Sequence, residues 1–209
     1  MPRLFTATFL DNPPALESID SRISGALQSL DPELSSWRAS AVPSHSLHVT
    51  WHFLGDVSEE KTVQLMQRLD DLYKDHLEQM SCFEIVYDSF EFWPDIKRPR
   101  VAVYTIKNPE AIPEAARTLH NLLSDVVAPY LSKESSRHSG FRPHLTLLRL
   151  KQRKDSKTRF DPTQIRVKEL EKLLPLRMRF DKVDLVESDL KSGKPIYKVI
   201  KTLALKETI

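Results

Sequence analysis

Two His-x-Thr triplets, His48-Val49-Thr50 and His144-Leu145-Thr146, carry the most chemical potential in this chain. They are 96 residues apart (144 − 48 = 96), and the same displacement carries Asn12-Pro13 onto Asn108-Pro109 (108 − 12 = 96). A unit that occurs twice and delivers one histidine and one threonine per copy builds a two-imidazole site about a pseudo-twofold axis. An imidazole titrates near neutrality, so a neutral copy can take a proton from water while a protonated copy gives one to a leaving oxygen. Each transfer is worth roughly 10²- to 10⁴-fold in rate. Threonine hydroxyls are short, conformationally restricted donors suited to non-bridging phosphoryl oxygens. Displacement at phosphorus is in line, with nucleophile and leaving group on opposite sides, and a histidine on each side matches it.

Zinc is the alternative use of such histidines, with His52 as a third ligand beside His48 and His144. The repeat places Leu148 where a second His52 would fall (148 − 52 = 96), and neither motif strand contains Asp or Glu. The sequence therefore points to chemistry without a metal. His45, His76, His120 and His138 have no counterpart at the repeat offset and read as surface or loop residues.

The elements that must hold these residues follow from the pattern. Arg3 to Asp11 reads as a strand. Pro14 opens a helix to Leu30, with Leu16, Ile19, Ile23, Leu27 and Leu30 at helical spacing. A polar linker with Pro32 and Pro43 leads to the first motif strand, Leu47 to Leu54. Ser58 caps a helix to about His76, and Cys82 to Trp93 reads as one strand or two with a bend. The pattern then restarts. Val101 to Lys107 is a strand, Ala111 to Val127 a helix, Ser132 to Gly140 a polar loop and Pro143 to Leu150 the second motif strand. A helix from Asp161-Pro162 to Leu174 follows. Leu176 to Glu187 and Ile196 to Leu205 then form two antiparallel strands joined at Ser192-Gly193.

Alternation within a strand puts residues i and i+2 on one face. His48, Thr50 and His52 then share a face opposite Leu47, Val49, Trp51 and Phe53. Arg142, His144, Thr146 and Leu148 share a face opposite Phe141, Pro143, Leu145 and Leu147. Both His-Thr pairs are turned away from the apolar side. Arg142 lies on the His144 face, where a guanidinium can bind phosphate bidentately.

The 209 residues suffice for one domain, and 40% apolar with 29% charged residues is ordinary for a globular protein. A net charge of +2 does not by itself mark a nucleic-acid binder. One local exception is Lys151 to Arg159, where Lys151, Arg153, Lys154, Lys157 and Arg159 face only Asp155 and could meet an RNA backbone. The single cysteine, Cys82, lies in an apolar run and reads as a buried small hydrophobe; it cannot form a disulfide within the chain. The expected setting is cytoplasmic, with no signal peptide and no membrane span.

In context, His48-Val49-Thr50-Trp51-His52-Phe53-Leu54-Gly55 and Phe141-Arg142-Pro143-His144-Leu145-Thr146-Leu147 resemble the 2H phosphoesterase superfamily, and most closely its LigT/ThpR branch of RNA 2′,3′-cyclic phosphodiesterases. The resemblance extends from Arg3-Leu4-Phe5 through Arg98-Pro99-Arg100-Val101 to Tyr197. It implies an α+β fold in one domain of two pseudo-twofold halves, about 1–95 and 96–209, with strands open to exchange between them. Two antiparallel sheets would line a V-shaped cleft, with helices outside. It implies metal- and cofactor-independent opening of an RNA 2′,3′-cyclic phosphate to a 2′-phosphomonoester. His48 would be the general acid and His144 the base, with Thr50 and Thr146 on the phosphate. The residues alone leave the acid and base assignment open. Arg100, Trp93 and Tyr197 are further candidate substrate contacts, the aromatics by stacking on a base. The expected partner is an RNA or oligonucleotide with a cyclic phosphate end, bound by a monomer. Two readings stand beside this one. The first is another phosphodiesterase of the superfamily, either a 3′ RNA exonuclease or an enzyme for 2′,5′-linked or small cyclic nucleotides. The second is a nucleotide-binding module without turnover.

Overall fold

The structure, a computed structural model, describes residues 2–28, 37–131, 140–154, 158–189 and 195–207. Leu30, Pro32, His138, Asp155, Lys157 and the Ser192-Gly193 turn lie outside these residues.

The repeated Asn-Pro has a local cause. Asn12 caps helix α1 (Pro13–Leu27), its side-chain oxygen accepting from the Ala15 N–H at 3.2 Å. Asn108 does the same for the Glu110 N–H at 3.0 Å at the start of a short turn that leads into α3 (Glu114–Val127). Proline fits the first helical position because its missing N–H would be unsatisfied there. Ser58 caps α2 (Glu59–Asp75) through the Lys61 N–H.

Strands β1 (Arg3–Phe9), β3 (His48–Asp56), β9 (Lys182–Asp189) and β10 (Ile196–Ala204) form one antiparallel sheet in the order β10-β9-β1-β3. Strands β2 (Trp37–Ala41), β5 (Ser89–Trp93), β6 (Val101–Thr105) and β7 (His144–Gln152) form a second in the order β2-β7-β6-β5. Each sheet takes strands from both halves of the chain. Strands β4 (Phe83–Tyr87) and β8 (Leu176–Phe180) pair as a third, two-stranded sheet.

Several elements differ from the sequence pattern. The linker holds a strand, β2, whose single Trp37 anchors it in the core while Arg38 and Ser40 stay exposed. The run from Leu176 to Glu187 breaks at Asp181, and its two parts join different sheets. The segment after Asp161 forms one turn at Pro162–Gln164 and a short helix, α4 (Val167–Glu171), well before Leu174. Cys82 is only half-buried, and an Arg179 N–H reaches its sulfur at 3.0 Å.

The largest deviation is a matched pair of β-bulges. Across β1 and β3, Thr6 is opposite His52 but Ala7 is opposite Thr50, so Trp51 is the extra residue. Across β6 and β7, Ala102 is opposite Leu148 but Val103 is opposite Thr146, so Leu147 is the extra residue. The bulges obey the repeat (147 − 51 = 96). A bulge inserts one residue and inverts the alternation beyond it. The His52 N–H beside the first bulge is satisfied by the Thr6 hydroxyl at 3.1 Å, and the Leu147 carbonyl at the second accepts from the Val42 N–H at 2.9 Å.

The consequences fall on four residues. His52 leaves the His48 face and turns to α3, where its Nε2 meets the His120 carbonyl at 3.1 Å and its ring lies 4.4 Å from that of His120. Phe53, placed by strict alternation in the core, pairs with Phe5 on the His48 face and is 38% exposed. Leu148 is fully buried instead of sharing the His144 face. Arg149, opposite Val101, takes the place beyond Thr146 on that face. His120 is likewise no simple surface residue. It is half-buried, with its ring 4.7 Å from that of Phe141, which stacks at 5.0 Å on Trp51. Among the described residues no helix is long and apolar enough to cross a membrane.

Candidate active site

His48 begins β3 and His144 begins β7, and the two strands pack against each other. Their rings are oriented by the same device. The His48 Nδ1 lies 2.7 Å from the Ser46 carbonyl and the His144 Nδ1 2.8 Å from the Arg142 carbonyl, each two residues upstream. A carbonyl can only accept, so each Nδ1 carries the hydrogen. Each neutral ring then has its Nε2 lone pair directed away from its own strand. Thr50 and Thr146 follow two residues on, half-buried on the same faces, before the bulges intervene.

Aromatic rings pack against both imidazoles. His48 packs against Phe5 at 5.2 Å, Phe9 at 5.3 Å and, edge-on, Tyr197 at 5.1 Å. Trp93 lies 4.6 Å from His144. This burial sets the electrostatics. His48 is pulled from 6.5 down to about 4, first by desolvation, with the Arg149 guanidinium and His144 acting in the same direction. His144 is also lowered, first by burial and then by the charge of Arg142. At neutral pH both rings are therefore neutral in the free protein. An anion bound between them would favour protonation of one.

The sign of the coupling to stability follows. The lowered His48 resists protonation in the folded state only, so its contribution is complete above pH 6.5 and is lost as pH falls from 6.5 towards 4. The size is on the order of 3 kcal/mol. Urea unfolding of the wild type is expected to show this loss, and His48→Gln to show a flatter profile over the same window. Parallel profiles would contradict the assigned environment.

The other anticipated residues are placed unevenly. The Arg142 guanidinium stands 4.4 Å over the Trp93 ring and 3.6 Å from a Glu91 carboxylate oxygen, which also accepts from the Trp93 indole at 2.6 Å. Arg142 thus borders His144 across the Trp93 ring, which is tilted against the imidazole. Tyr197 contacts His48. Arg100 is exposed just before β6, with its backbone bonded to Trp93 and Leu150, and no contact among the described residues brings its side chain to the histidines. Arg149 was not anticipated. It acts electrostatically on His48, and its guanidinium reaches the Tyr197 hydroxyl at 3.4 Å, linking the two sheets beside the pair. The run of two leucines before it, Leu147-Leu148, is its only trace in the sequence, because alternation would bury one and expose the other. Among the described residues, no three His, Cys, Asp or Glu cluster to hold a metal ion.

Residues 13–191 match the profile of the 2′-5′ RNA ligase superfamily. The chain belongs to that superfamily. The resemblance to 2H phosphoesterases carried by the two triplets is thereby borne out. Among proteins similar to this superfamily member, the RNA 2′,3′-cyclic phosphodiesterase of Aquifex aeolicus is 29% identical over 169 residues, 78% of this chain and 80% of that one. The protein of the same name from Methanothermobacter thermautotrophicus is 28% identical over 195 residues, 93% and 94% of the two chains. Among solved structures, E. coli LigT complexed with 3′-AMP is 26% identical, with 99% of each chain covered and a TM-score of 0.65. A Thermus thermophilus structure, 23% identical with 98% of each chain covered, shares the fold at a TM-score of 0.67.

Proposed function

We propose that this superfamily member hydrolyses 2′,3′-cyclic phosphate ends of RNA to 2′-phosphomonoesters by paired-histidine acid and base catalysis. The observation that carries the reading is the matched presentation of His48 and His144, each with Nδ1 on a carbonyl two residues upstream and, among the described residues, no hydrogen bond at Nε2. The names of the Aquifex and Methanothermobacter relatives support the substrate.

In the proposed reaction His144 Nε2 takes a proton from water as the water oxygen bonds to phosphorus. The bond from phosphorus to the ribose 3′ oxygen breaks on the opposite side, and His48 Nε2–H protonates that oxygen. The histidines finish with protonation states exchanged and return to the starting state through solvent. Thr50, Thr146 and Arg149 hold the non-bridging oxygens, and the negative charge they bind offsets the lowered affinity of the histidines for a proton. Arg142 attracts the phosphate from the rim, and Trp93 and Tyr197 shape the nucleoside side. Both halves of 1–209 supply one histidine each, so a single chain completes the site and the proposed working unit is a monomer. The lone Cys82 fits a reducing, cytoplasmic setting.

No step uses a metal, so turnover of a cyclic-phosphate RNA end is expected to continue at an undiminished rate in EDTA. A rate that EDTA removes and zinc restores would overturn the reading.

A further inference from the structure

Beyond Thr146 and Arg149, the second sheet carries two more positive charges, Lys151 and Arg38, that the proposed hydrolysis of a terminal phosphate does not use. The bulge at Leu147 turns Arg149 and Lys151 onto the face of His144 and Thr146. Strand β2 then adds to that face, since Ser40 lies directly opposite Arg149 and Arg38 directly opposite Lys151. Residues facing one another across an antiparallel pair share a face, with Cβ atoms about 4.5–5.5 Å apart. Arg38 and Lys151 are both exposed.

Two like charges set opposite each other repel, and the pairing costs stability. Nothing on either strand offsets it, because Trp37–Ala41 and His144–Gln152 contain no Asp or Glu. Among the described residues neither Arg38 nor Lys151 joins an ion pair, whereas Arg22, Arg179 and Lys201 each have an acidic partner. Packing does not explain the pair, since the anchor of β2 is Trp37 on the opposite face. A polyanion lying along β7 would supply the missing negative charge. The row begins at the phosphate-binding pair and reaches Lys151 roughly 15 Å further along the strand, at ~3.3 Å per residue. That is the span of an extended chain, beyond the reach of a single nucleotide.

We infer that Arg38 and Lys151 form a backbone-binding track for the RNA segment on the 5′ side of the cyclic phosphate, making the protein an oligonucleotide binder rather than a mononucleotide one. The inference rests on the proposed reaction for the direction of the chain, while the charge row itself does not. Each phosphate neutralised on a single strand contributes about −0.7 to the slope of log affinity against log salt.

The test uses two readouts on the wild type and on the double variant Arg38→Gln/Lys151→Gln, with Arg38→Lys as a charge-preserving control. Fluorescence anisotropy gives the affinity for a ten-nucleotide RNA ending in a 2′-phosphate across a salt series. Turnover is followed in parallel on that RNA with a cyclic end and on a 2′,3′-cyclic mononucleotide. The expected result is an affinity for the decamer about tenfold weaker in the double variant at 0.1 M salt. The salt slope should be shallower by about 1.4. Arg38→Lys should behave as wild type, and mononucleotide turnover should be unchanged. Unaltered decamer affinity and slope would overturn the track, and so would an equal loss on decamer and mononucleotide. If the wild type turns over neither substrate, the proposed reaction fails, and the anisotropy result alone still decides whether the track exists.

Discussion

Replacing either His48 or His144 by alanine is expected to lower kcat/KM on a cyclic-phosphate RNA end by 10³-fold or more. Each imidazole performs one proton transfer in the same displacement, and removing either leaves water to do its work. The loss lies at the generous end of the roughly 10²- to 10⁴-fold range for positioned acids and bases because aromatic rings pack against both histidines and limit access of water. The two losses are not expected to multiply. A displacement that has lost its acid gains little from its base, so the double variant should fall close to the weaker single variant. His48 also packs against Phe5, Phe9 and Tyr197, so alanine there opens a gap. His48→Gln keeps most of the volume, and above pH 6.5 its thermal unfolding should match the wild type while its turnover is lost. Steady-state kinetics with both substitutions separates chemistry from packing. A single variant retaining more than a tenth of wild-type kcat/KM would remove that histidine from the mechanism.

Arg149→Ala carries the second largest expected effect, a fall in kcat/KM of roughly 10²- to 10³-fold, the scale for loss of one positioned donor to a developing anion. Lysine should recover only part, since it cannot present two parallel N–H groups to a phosphate. The substitution should also leave a signature that loss of binding alone would not. The Arg149 charge helps hold His48 low, so its removal lets His48 protonate at higher pH. The limb of the kcat/KM profile that His48 sets should then move to higher pH. Arg142→Ala should cost less, under about tenfold, because the side chain is 64% exposed and already engaged by Glu91 and Trp93. Equal losses at the two arginines, with no change in profile, would contradict the placement of Arg149 beside His48.

The two triplets and the Asn-Pro offset made the repeat readable, because those residues are fixed by local chemistry: a helix cap, a strand alternation and a ring oriented by a carbonyl two residues back. Most elements followed from apolar periodicity. The departures from strand alternation have one physical source. A bulge costs a single residue, leaves composition unchanged and inverts every face after it. His52 and Leu148 therefore left the faces assigned to them, and Phe53 and Arg149 took their places. The matched His-x-Thr triplets concealed this, because both bulges occur just beyond them at the same repeat position. Strand β2 was hidden for another reason. It is short, exposed on one face and anchored by Trp37, so its pairing with β7 is a tertiary event with little local signal. The breaks at Asp88 and Asp181, which send adjacent strands to different sheets, are likewise decided by what each strand pairs with.

In the proposed reaction His48 and His144 open a 2′,3′-cyclic phosphate by attack of water opposite the ribose 3′ oxygen. The most direct measurement is turnover of a short RNA with that end in ¹⁸O-labelled water, with the product resolved by phosphorus NMR and mass spectrometry. The expected product is a 2′-phosphomonoester alone, with one labelled oxygen on phosphorus, formed at least about 10³-fold more slowly by either histidine-to-alanine variant. A 3′-phosphomonoester, or product formed at wild-type rate by either variant, would contradict it.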